Sequence, residues 1–167
     1  MKKLKVLYVC HNHPAVMPGG AETYAMELYE AMRRSPEFEP IFLARIPGAH
    51  HHPGTPFRTV NDDPNQYFFE TLNFDYFYGT SRDRDVCTRY FHDFLLAHRP
   101  DVVHFQHTLH LGYDLIRQVK NVLPDVPIVY TLHEYLPICH RHGQMVRTRN
   151  QELCREASPR RCHDNAR

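Results

Sequence analysis

The chain has 167 residues with a formal charge of +1 and 23% charged residues, enough for about one domain with a real core. That balance excludes the broad basic field by which a protein gathers nucleic acid, and no run of like charge marks a disordered tail. Five cysteines, an odd number spread unevenly, argue for reduced thiols rather than a disulfide framework, and the 14 histidines are the compositional outlier.

Lys5-Val6-Leu7-Tyr8-Val9-Cys10 reads as a buried strand. Its apolar part is too short for a signal-peptide core, and no stretch approaches the roughly 20 residues of a membrane helix. A cytoplasmic protein is expected. Pro18-Gly19-Gly20-Ala21-Glu22 follows, then a helix from Ala21 with an apolar stripe of Ala21, Tyr24, Ala25, Leu28, Ala31 and Met32. Two glycines before a helix start permit positive φ or close approach of a ligand, and the first helical amides offer an anion seat. An ordinary strand-to-helix turn is the alternative reading. The G-x-G-x-x-G pattern of a nicotinamide enzyme is absent.

Ser35-Pro36 ends the helix, and Phe38 to Ala44 reads as a second strand. Arg45 to Pro64, punctuated by prolines and glycines, reads as a long irregular segment, either functional or mobile, with His50-His51-His52 a solvated stretch within it. The aromatic run Tyr67-Phe68-Phe69, Phe74 and Tyr76-Phe77-Tyr78 either packs under that segment or exposes rings as a binding surface. Arg33, Arg34, Arg82 and Arg84 either attract an acidic partner or membrane surface or solvate helix faces.

A helix from about Asp83 to His98 is stopped by Arg99-Pro100, and Asp101 to Phe105 forms a short buried strand. A helix from about Gly112 to Val122 and a strand from Pro127 to Leu132 complete the pattern, and no periodicity is visible after His133. Strands alternating with helices predict an α/β domain, a doubly wound, mostly parallel sheet with helices on both faces. In such sheets ligands sit beyond the carboxyl ends of the strands. Those ends are His11-Asn12-His13 with the glycine turn, Gln106-His107-Thr108, and His133-Glu134-Tyr135, expected to converge on one edge. His104, inside a strand, reads as a satisfied core histidine.

Residues 1–135 are expected to form this Rossmann-like domain and 136–167 a Cys/His/Arg-rich extension of it. The extension holds Cys139-His140-Arg141-His142, Cys154 and Cys162-His163. Cys139, Cys154 and Cys162 are candidate metal ligands, the basis of a metal-binding regulatory reading. They are separated by 14 and 7 residues, without the close ligand pairs that open a structural zinc site, so no metal is assigned.

Three motifs in this order carry a family resemblance: Pro-Gly-Gly-Ala-Glu at 18–22, Asp-Val-Val-His-Phe-Gln-His-Thr at 101–108, and Pro-Ile-Val-Tyr-Thr-Leu-His-Glu-Tyr at 127–135. Together they cover essentially the whole chain, which resembles the N-terminal half of a glycosyltransferase family 4 enzyme of GT-B fold. The resemblance implies an acceptor-side domain for transfer from a nucleotide-sugar to a sugar, lipid-linked or small-molecule acceptor. Retention at the anomeric carbon, no cofactor and no essential metal are also implied. So is a cytoplasmic setting, extending to peripheral contact with the inner face of the membrane. By position, Gly19 and Gly20 approach the donor diphosphate or transferred sugar, His133 is the catalytic group, and His107 and Glu134 bind substrate. Glu22 favours the helix dipole. The family closes its cleft with a second Rossmann-like domain, and the chain stops at Arg167, so this half is expected to lack its donor domain and to be inactive alone. A non-catalytic module binding a phosphorylated or sugar ligand at the same edge is the alternative.

Overall fold

A strand that is apolar on both sides must be covered on both faces, and the strand Leu4–Cys10 imposes that requirement on everything around it. The computed structural model describes residues 2–48, 55–60, 63–72, 74–76, 78–139, 143–147, 150–158 and 162. Outside them lie His50-His51-His52, Pro53, Gly54, Phe77, His140-Arg141-His142, His163 and Arg167. In chain order the described elements are β1 (Leu4–Cys10), α1 (Gly20–Arg33), β2 (Phe38–Pro47), β3 (Phe57–Val60), β4 (Asp63–Thr71), β5 (Phe74–Asp75), β6 (Thr80–Ser81), α2 (Arg84–His98), β7 (Val102–Phe105), α3 (Asp114–Val122) and β8 (Ile128–Tyr130). The chain divides into two compact units, Met1–Thr131, which holds all of these elements, and Leu132–Arg167.

In the first unit the main sheet has the order β3-β4-β2-β1-β7-β8. β3 runs antiparallel to β4, and every other pairing is parallel. Counting only the five parallel strands in chain order gives 3-2-1-4-5, the doubly wound arrangement. Its order reverses between β1 and β7, where the connections leave in opposite directions and open a crevice.

Alternation along β1 assigns the two faces. Val6, Tyr8 and Cys10 join Phe42 and Ala44 against Ala25 and Tyr29 of α1. Leu7 and Val9 join Ile41, Leu43, Val103 and Phe105 against Phe91, Phe94 and Leu95 of α2 and Leu115 and Val119 of α3. The expected fold, with helices on both faces, is what forms.

Several details differ from the sequence reading. The buried face of α1 is Glu22, Ala25 and Tyr29, while Tyr24 and Ala31 of the expected stripe are exposed. The inward Glu22 carboxylate and the bond from Tyr29 Oη to Asp63 at 3.4 Å set the helix rotation, which an apolar stripe alone does not capture. β2 continues to Pro47, and the segment read as irregular contains β3 and the start of β4. Pro64 hid β4, although proline is tolerated at the beginning of a strand. β3 takes the place of a crossover helix: it carries the chain back antiparallel, so β4 can enter parallel to β2.

The aromatic run divides. Phe69 is fully buried in β4 and stacks on Phe57 at 4.8 Å, and Tyr67 meets Phe94 edge-on at 5.2 Å, whereas Tyr76 and Tyr78 are exposed. Arg33 is tied to Glu30 and Asp63, and Arg84 to Asp114. α2 ends on Arg99 in the left-handed region, φ 45°, immediately before Pro100. β8 stops at Tyr130, and the last ladder bond runs from Thr131 N to the Phe105 carbonyl at 2.9 Å.

In the second unit, a turn closes from Tyr135 to Cys139, whose N–H donates to the Tyr135 carbonyl at 2.8 Å. Gly143 adopts φ 75°, and a Cβ there would stand 2.9 Å from Leu136 N, so this turn requires glycine. Val146 and Leu153 form an isolated bridge, flanked by an Arg147–Glu152 ion pair at 3.5 Å.

Candidate functional site

The crevice is built where β1 and β7 run out of apolar residues. Past Cys10, buried His11, Asn12 and His13 follow; past Phe105 come buried Gln106, His107 and Thr108. Polar groups are tolerated at this depth because each is bonded into place. The rings of His11 and His107 lie 4.2 Å apart, tilted by 37°, so the two strand ends touch directly.

The first turn of α1 supplies the carboxylate. Glu22 Oε1 meets His11 Nε2 at 3.0 Å and accepts from Asn12 Nδ2 at 3.2 Å. An ionised carboxylate only accepts, which orients the Asn12 amide with its nitrogen toward Glu22. Asn12 Oδ1 is left buried and without a hydrogen-bond partner. That atom is a ready acceptor for a ligand hydroxyl.

Gly19 is extended at φ −159°, a conformation open to any residue. Its need for glycine comes from Glu22, because a Cβ would fall 2.5 Å from Oε2. Neither Gly19 nor Gly20 is among the glycines with positive φ, so close packing, not φ, explains the pair. At Gly20 a Cβ would meet nothing within 4 Å, and no side chain caps the helix start. The space before the first-turn amides is open, with the positive end of the helix dipole facing it. Glu22 takes up part of that electrostatic seat from within.

His13 closes the edge toward β4. Its Nδ1 accepts from Ala15 N–H at 3.1 Å, so Nε2 carries the proton toward Gln66 Oε1 at 3.2 Å. Burial lowers its pKa, an effect only partly offset by the Gln66 bond, which keeps the ring neutral near pH 7. His107 Nδ1 likewise accepts from Leu109 N–H at 3.0 Å, which places the ring proton on Nε2. His104 takes the core role expected of it, bonded to Thr131 Oγ1 at 2.7 Å and to Gln106 Nε2 at 3.1 Å. Burial pushes the Cys10 thiol up to about 12, so it is inert.

Of the residues singled out in the sequence, Gly19, Gly20 and His107 stand in the first unit around this crevice. His133 and Glu134 belong to the second unit, where both are exposed. In that unit Cys139 Sγ accepts from Met145 N–H at 3.4 Å and Cys162 Sγ from Ser158 N–H at 3.3 Å, and Cys154 is half-buried. Among the described residues no group of three His, Cys, Asp or Glu side chains is placed to hold a metal ion. All five cysteines are free thiols. Sequence reasoning named His11, Asn12 and His13 only as a strand end and missed Gln66, Arg45 and His110. Their signal was register: β4 had to be recognised before Gln66 could be placed beside β2.

A family model described as Glycosyltransferase Family 4 matches residues 18–164, from the proline of the glycine turn through both later strand-end motifs. No curated protein matches the chain.

Proposed function

The chain belongs to glycosyltransferase family 4, and we propose that it forms the acceptor-side wall of an enzyme that moves a sugar from a nucleotide-sugar donor to a sugar, lipid-linked or small-molecule acceptor. On this reading anomeric configuration is retained, the donor is a substrate rather than a cofactor, no metal is needed, and a second domain holds the nucleotide. The setting is the cytoplasm, at or near the inner face of the membrane. Among the described residues no helix is long and apolar enough to cross a membrane.

One observation carries the proposal: at the switch point of the sheet, buried His11, Asn12, Glu22 and His107 stand beside an open, uncapped helix start at Gly20. A site for glycosyl transfer needs donors toward a diphosphate and a polar wall toward hydroxyls. The Gly20 amide and the dipole of α1 supply the first. Asn12 Oδ1 supplies an acceptor for the second. His133 is assigned the catalytic role and Glu134 a substrate contact by their match to the family motif; an imidazole there stabilises charge developing at the reacting centre.

The test is release of nucleoside diphosphate from a panel of nucleotide-sugars, measured for this chain alone and together with a donor-binding domain. Turnover is expected only with both, with the product in the donor's anomeric configuration by NMR. His133→Ala should lower kcat by about 10²–10³-fold. Unchanged turnover in that variant removes the assigned role, and ligand binding without turnover under any combination selects the non-catalytic module instead.

A further inference from the structure

Arg45 is a buried cation that meets no anion among the described residues. The β2 ladder carries it past Leu43 onto the face that Phe69 shares, where it is only 8% exposed. Its Nε donates to Thr71 Oγ1 at 3.0 Å and its Nη2 to the Thr71 carbonyl at 3.2 Å. Both acceptors are neutral, and among the described residues no carboxylate pairs with it; the titratable groups that act on it are Tyr76 and Cys87. Removing a guanidinium from water without a counter-charge is unfavourable unless something arrives to compensate it. Thr71 occupies only the Nε side of the fork. The remaining donors, on Nη1 and Nη2, form an open edge whose geometry matches two oxygens of a carboxylate or phosphate.

The surroundings suit an incoming ligand. His110, held at φ 62°, has its pKa pushed down to about 4 by burial, by Arg45 and by His107. It is therefore a neutral ring, its carbonyl accepts from Thr71 Oγ1 at 3.4 Å, and it follows the crevice residue His107 by three positions in the chain. The rings of Phe74 and Tyr76 lie 5.5 and 5.6 Å from His110 and 5.2 Å from each other. Tyr76 is 55% exposed, so an aromatic rim opens to solvent beside the guanidinium. Aromatic faces at a wet rim suit the apolar face of a sugar ring.

We propose that Arg45 is the anchor of an oxyanion subsite for the acceptor, so that the enzyme's acceptor carries a carboxylate or phosphate gripped by the open edge of the guanidinium. Thr71 positions Arg45, and Tyr76 and Phe74 bear on the sugar ring that carries the anion. This rests on the reading of the chain as the acceptor-side wall of a glycosyltransferase.

The test is an NMR titration of the full chain with inorganic phosphate, acetate and glucuronate, following Arg45 Nε–H and the His110 ring. A saturable shift of Arg45 and a rise in the His110 pKa are expected, and whichever of phosphate and acetate binds identifies the anion. Loss of the paired charge-assisted bonds in Arg45→Met should weaken binding at least about tenfold, and Arg45→Lys should fall between. Tyr76→Ala, at an exposed position, should weaken glucuronate alone. No shift in the wild type, or equal shifts in Arg45→Met, overturns the subsite. A merely structural role for Arg45 requires Arg45→Met to lose thermal stability, whereas the proposed role leaves stability unchanged or raised, since the uncompensated charge is gone. Anion binding at Arg45 without glycosyl transfer would refute the enzyme reading and keep the subsite; transfer without anion binding at Arg45 would overturn the subsite alone.

Discussion

His11 Nε2 and Glu22 Oε1 meet at 3.0 Å with side-chain exposures of only 11% and 7%, joining the end of the first strand to the first turn of the first helix. The pair converts a glycine turn into a fixed corner, because the same carboxylate also orients Asn12 and closes over Gly19. His11, Asn12 and Gly19 are all referenced to that carboxylate.

Removing the carboxylate should therefore be expensive. Glu22→Ala leaves His11 and Asn12 without their common acceptor, and leaving buried hydrogen-bonding groups unpaired in this way costs about 1–3 kcal/mol. Glu22→Gln retains an acceptor for Asn12 and should lose less. Urea denaturation measures both, and a Glu22→Ala loss under about 0.5 kcal/mol, the range of a surface change, would mean that the pair is incidental.

The two glycines should respond oppositely. Gly19→Ala sets a Cβ against Glu22 Oε2 and should lower the thermal midpoint by displacing that carboxylate. Gly20→Ala meets open space and should be neutral or stabilising by about 0.4–1 kcal/mol through the unfolded chain. Because Gly20→Ala keeps the backbone N–H and adds only a methyl, it should weaken nucleotide-sugar affinity within the two-domain enzyme if the donor packs against this position; unaltered affinity means that no ligand approaches the Gly20 Cα closely.

Acid should weaken the fold through its buried and half-buried imidazoles. Burial, Arg45 and His107 push the His110 pKa down to about 4 from the 6.5 of an unperturbed imidazole, and burial lowers the pKa values of His13 and His98 as well. Between those values the unfolded chain takes up a proton that the folded chain refuses. The stabilisation is therefore complete above pH 6.5 and is lost as pH falls from there toward 4. For His110 the loss is on the order of 3 kcal/mol. His110→Asn, which tolerates φ 62°, should flatten the slope of stability against pH over that window; an unchanged slope excludes His110 as its source.

Thiol accessibility gives a direct check of the core. Cys10, Cys87 and Cys139 are buried, and burial raises the pKa values of Cys10 and Cys87. Iodoacetamide at pH 7.5 should modify Cys154 and Cys162 first, with the buried three reacting only on unfolding. Mass spectrometry showing early labelling of Cys10 would contradict the packing of α1 on β1.

Much of the fold was legible because its signals are local. β1 reads as a doubly buried strand from Val6 to Cys10, the helices stop where Pro36 and Pro100 forbid continuation, and the family motifs fall at strand ends. β3 and β4 were not legible, since their prolines imitate a loop and their pairing is decided by a β2 partner more than twenty residues away in the Phe42↔Gln66 register. The α1 face was misread for a related reason: a polar Glu22 faces inward because His11 and Asn12 wait there.

By its own pattern, then, the sequence determined an α/β sheet with helices on both faces, placed histidines at the carboxyl ends of its strands and marked the family through three short motifs. Only the tertiary structure decided which strands are neighbours, and hence that His11 meets His107, that Glu22 lies beneath Gly19 and that Arg45 is buried with no carboxylate beside it among the described residues. Periodicity along a chain reports which side of an element is apolar, whereas the charge partner of a buried group is fixed by register between elements distant in sequence.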